Sequence, residues 1–386
     1  MGVLRIHAGP LARRHIERHG LQPGDIAAIA AAAGGPKGLI LGPLDRFIFG
    51  QWLPQSAQTI HLIGGSIGAW RMATACLDDT VASFLRLEHD YIHQHYPLQP
   101  GQKRPPPAVV SERFGHNLRS FFGGRVGEVL RHPRYRLHIV TSRGRHLLAR
   151  EHSLGTPLGY LGAFLTNAVR RKAMGAWLER VVFSAPDGRP GAEAAMAKLP
   201  FDPGDYRTRQ VRLDGANFAP ALQASCSIPF VLQAVHDIPG APPGAYWDGG
   251  ITDYHLHLNY CAALAGGAVQ VDGGDGSASG DVKAPGLVLY PHFQRAVVPG
   301  WLDKHLKHRH RATHFLDNVI VLAPDPAWVA SLPNGKLPDR SDFTRYGIDL
   351  AARVNAWSAA TCASEQLAES FARWLEQPDP GRIEAL

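Results

Sequence analysis

The chain has 386 residues, of which 45% are hydrophobic and 19% are charged. Such a composition is too apolar and too lightly charged for a disordered protein, and the length is ample for a large core. The 41 glycines and 30 prolines argue against a coiled coil or a helical array, because both residue types interrupt long helices. A formal charge of +7 is compatible with an anionic partner but does not identify its kind.

Neither a signal peptide nor a membrane span is expected. The N-terminal segment lacks an apolar run of signal-peptide length, and the most apolar stretch, 26–36, is much shorter than the roughly 20 residues that span a bilayer. The four cysteines are far apart without paired spacing, which argues against a zinc site or a disulfide framework and favours a reducing compartment. We expect a cytoplasmic protein with no metal and no cofactor.

The first eighty residues predict two strand-helix units. Residues 25–33 form a short, continuous apolar run, which is typical of a strand covered on both faces. A glycine-rich turn follows, and then apolar residues at helical spacing, within which Pro43 predicts a kink or a late helix start. The next predicted strand is 59–63, and the next helix is 67–77.

The remaining elements also alternate between helix and strand. Helices are predicted over 84–96, 217–226 and 348–377, the last being one long closing helix, and strands over 135–141, 181–184, 286–290 and 318–322. This alternation indicates an α/β fold with a largely parallel central sheet.

A G-x-S-x-G motif, residues 64–68, lies between an apolar strand and an apolar helix. This is the context of a nucleophile elbow, a turn so sharp that the residues two before and two after the serine must lack bulk, and here both are glycine. The turn would place the Ser66 hydroxyl at a helix N-terminus, where the helix dipole favours negative charge. An ordinary glycine-rich turn is the alternative interpretation.

A second glycine-rich turn, 34–38 (GGPKG), ends the preceding predicted strand. A right-handed crossover would make the two strands parallel neighbours, so both turns would emerge at the same sheet edge. Backbone N–H groups of Gly34, Gly35 and Lys37 could then point at a developing oxyanion, whereas Pro36 has no N–H. The alternatives are a phosphate-binding turn, although GxxxxGK(S/T) and GxGxxG are absent, and for Lys37 a solvated position at a helix start.

A catalytic serine needs a base, and Asp248-Gly249-Gly250 supplies a candidate. Asp in such a turn is most often only a turn former. A catalytic role is favoured because the chain also contains the two glycine-rich turns and a fourth segment, 224–230 (ASCSIPF). Together, and in this order, the four motifs resemble those of the patatin-like phospholipase family, across about two thirds of the chain.

The resemblance implies a Ser-Asp dyad, with Ser66 as the nucleophile and Asp248 as its general base. It assigns the oxyanion loop to Gly34, Gly35, Lys37 and Gly38, and the elbow glycines to Gly64 and Gly68. It also implies a patatin-like, three-layer α/β/α sandwich with a largely parallel central sheet, formed by residues 1–386 as a single domain. One departure is Ala33, which stands where the family has the first of three consecutive glycines.

A Ser-His-Asp triad on an α/β-hydrolase scaffold is the competing arrangement, in which the acid precedes a histidine late in the chain. The twenty histidines supply many candidates, among them His255, His257, His292 and His314. The early position of Ser66 and the Asp-Gly-Gly turn favour the dyad.

Basic residues are concentrated in two stretches. Residues 102–150 hold eleven Lys or Arg against two Glu, and 304–314 interleaves four Lys or Arg with four His. The interleaved cations would repel a metal ion, which argues against a metal site. Both stretches would suit peripheral contact with an anionic membrane surface, while nucleic acid is not expected, because no recognised binding motif accompanies the charges. A basic insertion is assigned to about 97–135, and a mobile, low-complexity loop to about 270–284.

The motifs favour a serine lipid acyl hydrolase of the phospholipase A or lysophospholipase type, cleaving fatty-acyl esters through an acyl-enzyme. The alternatives are an esterase or thioesterase for soluble acyl compounds, and a catalytically silent lipid-binding protein of the same fold. Six aromatic residues are candidates for the core or for an acyl-chain cleft: Trp52, Trp70, Trp177, Phe121, Phe122 and Trp301.

Overall fold

The computed structural model describes residues 2–96, 102, 105–189, 191, 194–264 and 286–386. The predicted loop at 270–284 lies outside the described residues, as do several residues at the start of the predicted insertion at 97–135. The described part of that insertion contains two helices whose side chains, Leu118 and Val129 among them, are buried in the main hydrophobic core.

Eleven strands and thirteen α-helices are present in the described part of the chain. The strands are β1 (Leu4–Ala8), β2 (Ile26–Ala31), β3 (Ile60–Gly65), β4 (Tyr135–Gly144), β5 (Leu178–Ser184), β6 (Thr208–Arg212), β7 (Val235–His236), β8 (Ala245–Asp248), β9 (Leu287–Pro291), β10 (Val319–Pro324) and β11 (Ile383–Ala385). The helices are α1 (Pro10–His19), α2 (Gly42–Phe47), α3 (Ile67–Thr74), α4 (Thr80–His93), α5 (Pro107–Phe122), α6 (Val126–Leu130), α7 (Gly155–Val169), α8 (Phe218–Ser225), α9 (Tyr260–Leu264), α10 (Pro326–Ser331), α11 (Ser341–Tyr346), α12 (Leu350–Ala363) and α13 (Glu365–Glu376).

The described strands form one sheet in the order β11-β1-β10-β9-β2-β3-β4-β5-β6, with β8 paired to β4 and β7 to β8. Its centre, β10-β9-β2-β3-β4, is entirely parallel, whereas β1 is antiparallel to β10, and β5 and β8 are antiparallel to β4. The expectation of an α/β fold with a largely parallel central sheet is therefore confirmed.

Continuous apolar runs form the central strands because both faces of the sheet are covered. In β2, Ile29 and Ala31 belong to one hydrophobic cluster, while Ala28 and Ala30 belong to another. Alternate side chains of a strand point to opposite faces, so the two clusters lie on opposite sides of the sheet. None of the helices in the described ranges is long and apolar enough to cross a bilayer.

Two helical predictions are refined by the structure. The segment after β2 begins as a 3₁₀-helix, Gly35–Leu41, and α2 starts only at Gly42 with Pro43 in its first turn, which confirms the late start. The prediction of a single closing helix over 348–377 is wrong, because the helix is interrupted at Ser364. The hydroxyl of Ser364 donates to the carbonyl of Thr361 at 2.6 Å, a local bond that competes with helical continuation.

Candidate active site

Ser66 occupies the turn between the end of β3 and the start of α3. Its backbone angles are φ 55° and ψ −130°, a region that residues other than glycine rarely adopt. Such strain persists only where the surroundings enforce it, and it is concentrated at functional sites. The serine is almost fully buried, with 4% of its surface exposed.

The two elbow glycines are required by close contacts. A Cβ on Gly64 would lie 2.4 Å from the backbone nitrogen of Ala69, and a Cβ on Gly68 would lie 2.0 Å from the carbonyl oxygen of Ala31. Neither position can hold a side chain while the turn keeps this shape. The two glycines of the G-x-S-x-G pattern are therefore small because of these contacts.

Strand register brings Asp248 to Ser66. β3 pairs with β4 as far as Gly65 opposite Val140, and β8 then pairs with β4 from Asp248 opposite Thr141. β5 occupies the other edge of this part of β4, so β3 and β8 follow one another along the same edge. The nucleophile turn and the end of β8 meet at the junction.

Ser66 Oγ donates a hydrogen bond to Asp248 Oδ2 at 2.7 Å. The other carboxylate oxygen, Oδ1, accepts from the backbone N–H of Gly250 at 2.7 Å, which fixes the carboxylate in place. Burial raises the pKa of Asp248, an effect opposed by its hydrogen bond to Ser66 and by the charge of Arg340. The carboxylate is thus a stronger base than an exposed aspartate.

Ser225, in the segment 224–230, contacts the nucleophile through its hydroxyl. Ser225 Oγ accepts from the backbone N–H of Ser66 at 2.9 Å and donates to the carbonyl of Val140 at 2.7 Å. Ser225 belongs to one of the four sequence motifs, but the sequence predicts no role for it. The only signal was its place in the small-residue segment, because the contact joins residues 159 positions apart.

Two residues of the loop 34–38, together with the alanine that precedes it, reach the site. Ala33, Gly34 and Lys37 line the same cavity as Ser66, whereas Gly38 packs behind them, where a Cβ would lie 3.2 Å from Ile67 Cγ1. A Cβ on Gly34 would lie 2.5 Å from the ring of Phe293, so this position also excludes a side chain.

The backbone N–H groups of this loop differ in whether the fold already supplies them with an acceptor. Gly34 caps the 3₁₀-helix that begins at Gly35. Since a 3₁₀-helix joins each carbonyl to the N–H three residues on, the Lys37 N–H belongs to the first helical turn, whereas the Gly35 N–H has no helical acceptor. The N–H of Ala33 donates to the carbonyl of Tyr254 at 3.0 Å. The backbone donor of Ala33 is therefore engaged outside the cavity.

A cavity of about 260 Å³ opens above Ser66 and Asp248. Its apolar wall is formed by Ile228, Pro229, Ile251, Tyr254 and Trp301. Trp301 is the one aromatic candidate from the sequence analysis that lines this cavity within the described residues.

Three cationic side chains, Lys37, Lys304 and Arg340, face the same cavity. Burial lowers the pKa of Lys37. Burial, together with the charges of Arg340 and Lys37, lowers the pKa of Lys304 to about 8, against the attraction of Asp248. Asp339 is the other carboxylate that lines the cavity, and it pairs with Lys336 at 2.7 Å. Of these three cations, only Lys37 is predicted from the sequence to belong to the site.

The histidines proposed for a triad engage other partners. His255 Nδ1 lies 3.1 Å from the carbonyl of Ala296, and His257 Nε2 lies 2.9 Å from Thr313 Oγ1. Neither these two nor His292 and His314 line the cavity or bond to Ser66 or Asp248 in the described structure. The described residues thus assemble a Ser-Asp pair and no Ser-His-Asp triad at Ser66.

No protein-family model matches the chain, and a search of the curated proteins finds no significant match. The resemblance to patatin-like phospholipases stays a prediction from the four sequence motifs.

Proposed function

We propose that the protein is a serine acyl hydrolase in which Ser66 is the nucleophile and Asp248 the general base. The observation that carries the proposal is the 2.7 Å hydrogen bond from Ser66 Oγ to Asp248 Oδ2, made by a serine with strained backbone angles at the base of a cavity. A nucleophile bonded to a base that is itself held by a third group is the arrangement of activated serine enzymes.

The proposed reaction begins when Ser66 Oγ attacks the ester carbonyl and its proton passes to Asp248. The carbonyl oxygen becomes an oxyanion, for which the backbone N–H groups of Gly34 and Gly35 are the expected donors. Collapse of the tetrahedral intermediate transfers the proton from Asp248 to the leaving alcohol and leaves an acyl-Ser66. Water, deprotonated by the same carboxylate, then attacks the acyl carbonyl, and the fatty acid leaves as Ser66 regains its proton.

Positive charge in the cavity supports an anionic substrate. Lys37, Lys304 and Arg340 surround the dyad, and a phosphate near the scissile ester would pair with them. The apolar wall formed by Ile228 and Trp301 would accept part of an acyl chain. A phospholipid or lysophospholipid carries both groups, so we propose this class as substrate.

The fold proposed for this enzyme is a patatin-like, three-layer α/β/α sandwich. Support comes from the parallel centre of the sheet and from hydrophobic clusters on both of its faces. Helices contribute to each cluster: Trp70 of α3 belongs to one, and Ala360 of α12 to the other.

Labelling with a fluorophosphonate, followed by intact-mass measurement, tests the dyad. We expect one adduct on the wild type, none on Ser66→Ala, and labelling slowed by about a hundredfold or more in Asp248→Asn. Asp339→Asn is the matched control, because this second cavity carboxylate has no bond to Ser66, and it should label at the wild-type rate. A folded wild type that stays unlabelled would overturn the proposal and favour a silent lipid-binding protein.

The substrate class is tested separately with purified wild-type protein. We expect lysophosphatidylglycerol to be hydrolysed with a higher kcat/KM than a monoacylglycerol of the same chain, and EDTA to leave the rate unchanged. Equal rates on both lipids would refute the role given to the three cations. Faster turnover of short monomeric esters or thioesters would point to a soluble substrate instead.

A further inference from the structure

The outer face of α7 is apolar along its whole length. Leu158, Leu161 and Leu165 recur at helical spacing and continue the face that begins at Leu154 and ends at Val169. These side chains are between 53% and 87% exposed, although helix faces of this composition are normally buried. Residues 153–169 include no charged side chain.

The apolar surface continues onto the segment that borders the cavity. Phe230 and Val231 are exposed, and Phe230 contacts Tyr160 of α7, with ring centroids 5.9 Å apart. Phe230 also has φ 66°, an unusual conformation for a bulky residue, and it directly follows Ile228 and Pro229 of the cavity wall. The exposed aromatic ring is thus held outward beside the site.

The inner face of α7 packs against the strand that carries Asp248. Tyr160 contacts Trp247 of β8, with ring centroids 6.1 Å apart, and shares a hydrophobic cluster with Ile251 of the cavity wall. The same helix therefore contacts the site with one face and presents an apolar face to solvent with the other.

Basic residues surround the C-terminal end of this helix. Arg170 and Lys172 follow α7 directly and are exposed. Arg309 donates to the carbonyls of Asn167 and Ala168 at 2.8 and 3.0 Å, which holds the basic stretch 304–314 against α7. Within that stretch Lys307 and Arg311 are exposed.

We propose that the outer face of α7, together with Phe230 and Val231, docks on an anionic lipid bilayer. The apolar side chains would enter the interface between headgroups and acyl chains, while the basic residues beside them would contact anionic headgroups. The choice of lipid as the occupant rests on the proposed function and on this charge complementarity. Docking would bring the cavity beside the membrane from which the substrate comes.

Vesicle sedimentation tests the docking surface independently of catalysis, since it can use the full chain carrying Ser66→Ala. We expect binding to vesicles of equal parts phosphatidylcholine and phosphatidylserine, much weaker binding to pure phosphatidylcholine, and weakening by salt. Leu161→Ser/Leu165→Ser should reduce binding at least about tenfold, because it removes two inserted side chains. The matched control is Val81→Ser/Leu85→Ser, an exposed apolar pair of the same spacing on α4.

A second variant, Lys307→Glu/Arg311→Glu, reverses the charges that are proposed to contact the headgroups. It tests the docking surface even if the leucine variant does not fold, and thermal unfolding shows whether each variant is folded. It should also reduce binding to the anionic vesicles. Vesicle binding that neither variant weakens would overturn the proposal, as would a wild-type dimer that Leu161→Ser/Leu165→Ser converts to monomers. A folded wild type that binds the vesicles but takes up no fluorophosphonate label would refute the proposed function and leave the docking surface standing.

Discussion

The hydroxyl of Ser225 links the backbone of Ser66 to β4, accepting from the Ser66 N–H at 2.9 Å and donating to the Val140 carbonyl at 2.7 Å. Ser66 adopts φ 55°, and a strained residue keeps such a conformation only when its neighbours hold it. Ser225 is fully buried, so no water replaces its hydroxyl easily. We infer that Ser225 is a positioning residue for the nucleophile.

Ser225→Ala should lower kcat by about tenfold or more, because removing the hydroxyl leaves a buried N–H and a buried carbonyl without a partner, at a cost of about 1–3 kcal/mol. KM should change little, since Ser225 does not line the cavity. Steady-state kinetics on a soluble ester separates the two constants. Ser227→Ala is the control, because Ser227 Oγ bonds to the Gln223 carbonyl instead. Equal losses of kcat in both variants would mean a general structural effect.

Requirements that appear as a short sequence motif were the part of this site that could be predicted. The G-x-S-x-G pattern predicted that the turn has no room for side chains at Gly64 and Gly68. The structure shows close contacts at both positions. Asp248 was indicated by its Asp-Gly-Gly turn, in which a Cβ on Gly249 would lie 2.1 Å from the Val140 carbonyl oxygen. Gly64, Gly68 and Gly249 lack side chains because each lies against neighbouring backbone, and this requirement leaves a glycine in a recognisable motif.

Long-range contributions to the site were not predictable in the same way. Ser225, Lys304 and Arg340 reach the dyad through tertiary packing, and no local pattern distinguishes them from other serines or surface cations. The break at Ser364 has a local component, the bond to Thr361, and also a tertiary component, because α12 packs against α4 and α11, whereas α13 packs against α2. No helix was predicted for α7, and only the structure shows that its leucine face is uncovered.

Gly68→Ala should destabilise the fold by about 3 kcal/mol or more, because the added Cβ would lie 2.0 Å from the Ala31 carbonyl oxygen and one strand would have to move. Gly65→Ala is the matched control. Its Cβ would have no neighbour closer than 3.7 Å, and Gly65 does not have positive φ. Urea unfolding of both variants measures the difference. Similar stabilities would show that the elbow is not as tightly packed as described.

Arg180 and Asp253 form a fully buried ion pair through two hydrogen bonds of 2.7 and 2.6 Å, between β5 and the turn that follows Asp248. Burial raises the pKa of Asp253, but the charge and hydrogen bonds of Arg180, aided by Arg171, outweigh it and hold the pKa below its usual value. The pair therefore stabilises the fold above the unfolded-state pKa of Asp, and this contribution is lost as pH falls through the lower folded-state value.

Asp253→Asn should cost about 3–5 kcal/mol of stability at neutral pH, because it leaves the buried charge of Arg180 incompletely paired. The control is Asp205→Asn, since Asp205 contacts the same guanidinium but is partly exposed, and it should cost less. Thermal or urea unfolding checks both variants. The difference between Asp253→Asn and the wild type should shrink in acid, where Asp253 is protonated. A difference that is constant with pH would mean that the charge of Asp253 is not the cause.

Lys304 should make substrate binding pH-dependent. Its ammonium lies 4.1 Å from the centre of the Tyr254 ring, and burial, with Arg340 and Lys37 nearby, lowers its pKa to about 8 despite the attraction of Asp248. Below that pH the side chain is charged and can pair with a phosphate. Above it the charge is lost, so KM for lysophosphatidylglycerol should rise by about tenfold, the value of one charge-assisted hydrogen bond.

The same pH series with a monoacylglycerol should show no such rise, because this lipid has no charge for Lys304 to bind. Lys304→Arg should abolish the rise for lysophosphatidylglycerol, since a guanidinium stays protonated throughout this range. A rise that persists in Lys304→Arg would assign the pH dependence to another group, with Lys37 the next candidate, because burial also lowers its pKa. A rise shared by both lipids would place the titration in the reaction itself and remove Lys304 from substrate recognition.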